Sequence, residues 1–275
     1  MKNLFKKVSL FIILTLLSQV GGLIYLLYQP ISLSIKKKKT GWTQRGLRIF
    51  SFLGFYLLIT LLIIPPIAKQ FGRVPLPYFA TKKEPIQPLM ILTCLLNRQY
   101  VKPQLKQHIF LIANNLQKEY QGTKIQYLDA NFPFLNGFPL LPHLSHDDGE
   151  KLDLAFLYVD RASQHPWKSR VSFFGYGFFE EPIRGEVNMP QQCAKKGYWQ
   201  YGLLSKSLGL KAHEQVQFDE FANATLIKLL SQHPDTRKIF IEPHLKNRLG
   251  FGNNNKVRFH GCAAVRHDDH IHLEL

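Results

Sequence analysis

The first 83 residues contain no acidic side chain; Glu84 is the first. They hold thirteen of the chain's 35 lysines and arginines, leaving 22 basic against 19 acidic residues from Glu84 onward. The formal net charge of +16 therefore belongs mostly to the N-terminal stretch. Nucleic-acid binding draws on a basic surface across the binding domain, and the nearly neutral remainder removes that support, so no nucleic-acid partner is expected. Histidine is also missing from the start: all eleven follow residue 105. Cysteine is scarce, with three in 275 residues. Cys94 sits in an apolar stretch and reads as a buried thiol. Cys193 and Cys262 could pair in an oxidising compartment, and the sequence leaves that open. No internal repeat or low-complexity tract is visible, so a repeat array is not expected.

Two long uncharged runs occupy the basic N-terminal region. Residues 8–28 and 49–68 are each about twenty residues long, enough for a helix to cross a hydrocarbon core of ~30 Å. Residues 1–68 thus read as a membrane anchor with two transmembrane helices. A cleaved signal peptide is the competing reading of the first run. The run is longer than a signal core, and Gly21-Gly22 lies inside it rather than after it. The segment between the runs carries Lys36 to Lys39, Arg45 and Arg48, against Lys2, Lys6 and Lys7 at the N-terminus. Basic residues of short loops stay cytoplasmic, which sends the C-terminal part outward. Pro65-Pro66 is expected to end the second helix. Residues 69–89, with Pro75, Pro77, Pro85 and Pro88, read as an extended linker. A domain of residues 90–275 follows; a length of 275 residues suits one or two domains.

Within that domain, Leu105, Ile109, Ile112, Leu116 and Tyr120 recur at helical spacing. Asp219 to Gln232 reads as a second helix and Pro243 to Leu249 as a short third one, with Pro at its start. Strands are expected at Lys124–Leu128, Leu152–Val159, Val171–Phe179, Lys238–Ile241, Val257–Phe259 and His270–Leu275. Helices and short strands without a βαβ rhythm imply an α+β fold: a small antiparallel sheet with flanking helices.

Two polar clusters adjoin these strands. One is His143-Leu-Ser-His146-Asp-Asp-Gly-Glu-Lys-Leu-Asp153; the other is His267-Asp-Asp-His270-Ile-His272. On a strand, His270 and His272 share a face. Asp153 interrupts an apolar run, where a lone carboxylate is costly unless paired or metal-bound. Two imidazoles and a carboxylate make a catalytic zinc set that leaves a fourth position for water, whose pKa the metal lowers to around 7. Either cluster alone says little in a chain with eleven histidines. Asp147, Asp148 and Glu150 suit a solvated turn, and Asp268 and Asp269 are either surface groups or supports for ligands. Ser145, Ser172 and Ser205 lack a nucleophile motif.

In combination and order, the clusters resemble those of the penicillin-insensitive murein endopeptidases. These belong to a wider zinc-peptidase group with the lysostaphin-type enzymes and the D-Ala-D-Ala metallopeptidases. The family pattern is His-x-x-His-x6-Asp followed by His-x-x-His-x-His near the C-terminus. Here His143, His146, Asp153, His267, His270 and His272 match it. Lys238 to Lys246 is similar to the family's strand and helix before the second cluster, and Lys256-Val-Arg258 stands where it has a basic strand. The similarity covers about Pro142 to Asp160 and Arg237 to Leu275; residues 163–217 do not align, and two membrane spans are not part of the usual pattern.

The resemblance implies zinc ligands His146, Asp153 and His272, with His270, His267 and His143 in catalysis. The roles of His270 and His267 as base and electrostatic stabiliser stay interchangeable. It implies Zn2+ as the only cofactor. It also implies hydrolysis of peptide (amide) bonds in peptidoglycan, as a murein endopeptidase or D,D-carboxypeptidase-like enzyme, from the outer, periplasmic side of a bacterial cytoplasmic membrane. An inactive zinc-peptidase-like binding module at the envelope is the alternative, and a membrane protein with ordinary structural histidines is a third.

Overall fold

The structure, a computed structural model, describes residues 2–38, 40–167, 169–172, 174–204 and 214–275. Ser205 lies outside the described residues. The chain divides into two compact units that interleave along the sequence. The first comprises Met1–Leu76, Leu92–Pro103 and Ala130–Gly149; the second comprises Pro77–Ile91, Gln104–Asp129 and Glu150–Leu275.

In the first unit, the expected helix over residues 8–28 is broken. Helix α1 (Lys2–Ser18) and helix α2 (Gly21–Lys38) flank Gln19, whose φ is +60°. Ser18 accepts the Gly21 N–H at 3.0 Å through its hydroxyl. The chain folds back tightly here: a Cβ at Gly22 would lie 2.7 Å from the Phe11 carbonyl oxygen, and one at Gly21 2.6 Å from that of Leu14. Only glycine fits such an approach. Hydropathy averaged over the run conceals this polar Ser-Gln step.

Among the described residues, one helix is long and apolar enough to cross a membrane, not two. It spans Gly41–Gln70, and few of its apolar-window residues are buried. Pro65-Pro66 does not end it. A π-helical turn at Ile59–Ile63 comes first, with the Ile64 N–H bonded back to Ile59. The prolines then open the segment Ile64–Gln70, where their missing N–H groups are not needed. Val20, Ile24, Ile64, Ala68 and Tyr100 form this unit's buried core, with Phe52, Tyr56 and Phe134 packed against it. Residues 69–89 are not a free spacer. They contribute strands β1 (Val74–Pro75) and β2 (Ile86–Pro88), and Leu76 and Ile86 are buried. Strand β1 pairs with β3 (Tyr100–Val101).

The second unit is a mixed α/β body around a six-stranded sheet. Its remaining strands are β4 (Ile125–Tyr127), β5 (Lys151–Ala155), β8 (Lys238–Phe240), β9 (Val257–Arg258) and β10 (His270–Glu274), in the order β2-β4-β5-β10-β8-β9. The sheet is antiparallel only in its middle; the edge pairs β2–β4 and β8–β9 are parallel. Leu152, Leu154, Ile239, Ile271 and Leu273 alternate with the polar positions and are fully buried. The helix Pro103–Glu119 buries Leu105, Ile109, Ile112 and Leu116, in agreement with its spacing. The helix Glu220–Gln232 is capped by Asp219, whose carboxylate accepts the Ala222 N–H at 2.9 Å.

Two expected strands differ. Leu152–Val159 is split into β5 and β6 (Tyr158–Asp160), and β6 pairs with β7 (Val216–Phe218) in a separate small sheet. At the break, the Asn223 amide satisfies both the N–H and the carbonyl of Leu157, at 2.9 and 2.8 Å, replacing ladder bonds. The described residues of 171–179 form no strand: Gly175 and Gly177 adopt φ of +84° and +83° and turn the chain.

Candidate metal centre

In the second unit, strand register sets the positions of the polar side chains. In β10 and β5, His272 stands directly opposite Asp153 and His270 opposite Ala155. Alternation puts all of these on one face. The His272 Nδ1 and the Asp153 Oδ1 are 2.8 Å apart, and the His270 Nε2 is 3.7 Å from the same oxygen. Asp153, His267, His270 and His272 are all buried. A carboxylate so placed must be compensated. Part of that comes from Tyr176, which donates to the Asp153 Oδ2 at 2.9 Å and accepts the Asp129 N–H at 3.2 Å. Tyr176 also meets His270 edge-on, with ring centroids 5.0 Å apart.

Asp269 orients His270. Its Oδ1 is 2.5 Å from the His270 Nδ1, and its Oδ2 accepts the Gly177 N–H at 2.6 Å. This holds the ring proton on Nδ1 and directs Nε2 toward Asp153. Burial opposes charge on His270, but Asp153 and Asp269 outweigh it and raise its pKa to about 9. His272 is likewise raised by Asp153 and Glu274 against burial. The field that favours protons on these rings equally favours a divalent cation, and the two compete.

His267 behaves in the opposite way. Burial holds its pKa well below the ordinary value, and the neighbouring His270 and His272 push it the same way. Its ring centroid is 4.9 Å from that of His270, and its buried Nδ1 has no hydrogen-bond partner among the described residues. Glu242 clamps its backbone: the Glu242 N–H donates to the His267 carbonyl at 3.0 Å, and the Glu242 Oε1 accepts the His267 N–H at 3.3 Å. Tyr201 donates to that oxygen at 2.7 Å. Asp268 is a buried support, not a surface group. Burial pushes its carboxyl up to about 8, although Arg266 donates to it at 2.9 and 2.5 Å. The disulfide Cys193–Cys262, with Cα atoms 5.3 Å apart, ties the helix Met189–Lys195 to the segment leading into His267.

The first unit brings His143 and His146 together, with ring centroids 5.6 Å apart. His146 is fully buried, and its Nδ1 lies 2.7 Å from the Ala130 carbonyl oxygen. A carbonyl only accepts, so Nδ1 carries a proton, which fixes the orientation of the ring. Arg73, itself buried, anchors this segment by donating to the Phe132 carbonyl at 2.9 Å, the Asn136 Oδ1 at 2.6 Å and the Asp147 carbonyl at 3.4 Å.

Buried His/Asp groups that could hold a metal ion are thus present. Sequence reasoning missed Tyr176, Glu242 and Arg73. The only signal for Tyr176 is its place between two glycines. Glu242 precedes Pro243-His244 in the approach to the second cluster, and Arg73 is the one arginine in the supposed linker. No protein-family model matches the chain, and no curated protein is significantly similar to it. The resemblance therefore rests on the two clusters and the segments around them.

Proposed function

We propose that the protein is a zinc-dependent peptidase in which His146, Asp153 and His272 hold the metal. The observation that carries this reading is the buried Asp153–His272 pair, set by strand register, with His270 and His267 beside it. The donor set fits: neutral imidazoles and one carboxylate are a zinc-type combination, and His146 offers Nε2 with its tautomer already set. Bound zinc would supply Lewis acidity and a water acidified enough to attack an amide.

The chain's own residues then divide the work. His270, steered by Asp269, takes the proton from the attacking water at Nε2 and passes it to the leaving nitrogen. The Asp153 and Asp269 carboxylates favour a proton on this ring; a dication held by Asp153 would offset that field and free Nε2 for the role. His267, kept neutral by burial, donates its N–H to the oxyanion. His143 supports the site from the same segment as His146. A cavity of about 340 Å³ adjoins Ala155 and Asp269 and is walled by Phe156, Tyr158, Trp167 and Val171. It supplies room for a peptide side of the substrate.

The family resemblance makes peptidoglycan peptides the substrate class. The basic segment before the helix Gly41–Gln70 would keep that end in the cytoplasm. Residues beyond Gln70 would then face the cell wall, where a Cys193–Cys262 disulfide persists. The test is full-length protein in detergent, assayed for zinc content and for cleavage of cross-linked muropeptides. Wild type should carry zinc and cleave, and His146→Ala should lose both. Zinc unchanged in His146→Ala sinks the ligand assignment; an intact zinc site without hydrolysis points to the binding-module alternative.

A further inference from the structure

A second group of metal-ligating side chains takes no part in the centre described above. His108 lies on the helix Pro103–Glu119 and is 2% exposed. His233 and Asp235 occupy the turn between the helix Glu220–Gln232 and β8. The two imidazoles meet edge to face with centroids 3.9 Å apart. The His233 Nδ1 is 3.9 Å from the Asp235 Oδ2. One ligand atom from each of His108, His233 and Asp235 lies within 4.8 Å of the others.

A buried histidine pair is most simply a packing feature, whose ring nitrogens are hydrogen-bonded. That account is incomplete here. The His108 Nδ1 is buried with no hydrogen-bond partner among the described residues, and its Nε2 has only a long 3.3 Å contact with the Thr236 hydroxyl. Burial and the neighbouring His233 both disfavour a charged His108 ring. The other charged groups facing it are Asp235, which favours a cation, and Lys256. The Lys256 ammonium is engaged by the His233 carbonyl at 2.7 Å. The side chains of His233 and Asp235 are 19% and 38% exposed, which leaves an entry path for an ion and its waters.

We propose that His108, His233 and Asp235 form a second divalent-metal site, which ties the helix Pro103–Glu119 to the turn that enters β8. Two imidazoles and one carboxylate suit borderline ions such as Zn2+, Ni2+ or Cu2+, with water completing the shell. The site does not depend on the peptidase reading.

The experiment uses full-length protein in detergent, stripped with a chelator and titrated with Zn2+, with bound zinc counted after excess is removed. Wild type should hold two equivalents. His233→Gln and Asp235→Asn, at partly exposed positions and safer for folding than a change at His108, should each remove one equivalent or weaken it at least tenfold. His146→Ala should remove the other, and the combined variant should hold none. Unchanged zinc content in both His233→Gln and Asp235→Asn overturns the second site. If those two variants each lose one equivalent while His146→Ala loses none, the second site stands and the peptidase ligand set falls.

Discussion

His146 and His272 are both buried, yet the two units hold them by different means. His272 sits in the central strand of a sheet, and its neighbours across the ladder set its position. His146 sits in an irregular segment with no ladder; its own ring nitrogen, a carbonyl and the Arg73 guanidinium do that work. A strand presents side chains by a period-two rule that holds wherever the backbone pairs. A loop presents them only as well as a few polar side chains secure it. The two halves should therefore fail differently when disturbed.

The largest effect is expected at the ladder-held carboxylate. Asp153→Asn removes the charge that faces both His270 and His272, and hydrolysis should fall by about 10³-fold, as for loss of a catalytic metal. Muropeptide cleavage and zinc content check it; full zinc binding in this variant would contradict the Asp153 assignment. Next comes Arg73→Met, which leaves buried acceptors without their donor, at a cost of about 1–3 kcal/mol. Thermal unfolding should shift down, and amide exchange should rise across residues 130–149 while β5 and β10 stay protected. Equal loss of protection in both regions would break the contrast between loop and ladder.

Tyr176→Phe should be milder. It deletes the hydrogen bond to Asp153 and the one from the Asp129 N–H; zinc affinity should drop by about 10- to 100-fold and stability by about 1 kcal/mol. Competition with a chelator of known affinity reads this directly. The smallest effect concerns Glu186, which takes hydrogen bonds from Arg248 at 2.9 and 2.7 Å. Those bonds hold its carboxyl below the ordinary value of 4.5. The unfolded chain thus takes up this proton first. The pair's contribution is fully present above pH 4.5 and is lost as pH falls through the lowered folded value. Its size should stay within about 1 kcal/mol. The difference in acid unfolding between wild type and Glu186→Gln measures it.

Elements whose stabilising contacts repeat along the chain were legible in the sequence. The helices Pro103–Glu119 and Glu220–Gln232 show their buried faces as spacing, and the His-x-His pair follows from strand alternation alone. Pairing across the chain was not legible: nothing local says that Asp153 meets His272, or that Cys193 meets Cys262. Single-residue interruptions were also invisible. Ser18-Gln19 breaks an apolar run that otherwise looks like one span, and Asn223 ends β5 by satisfying the backbone of a distant residue. The residues around Tyr176 have strand-like composition, but two left-handed glycines turn them, and the turn delivers a phenol to the Asp153 carboxylate.

The Asp153–His272 pair joins residues 119 apart in sequence. Such a contact incurs its loop-closure entropy before any neighbouring contact can reward it, and chains dominated by distant pairings fold slowly. The pairing of β5 with β10 is thus expected late in forming the sheet, and until it forms the carboxylate and the imidazole are not held together. An ion that binds both would act on the folding reaction as a clasp, favouring the closed register over open ones. Metal supply during synthesis would then govern how much chain reaches the native state, as well as how fast the finished protein works.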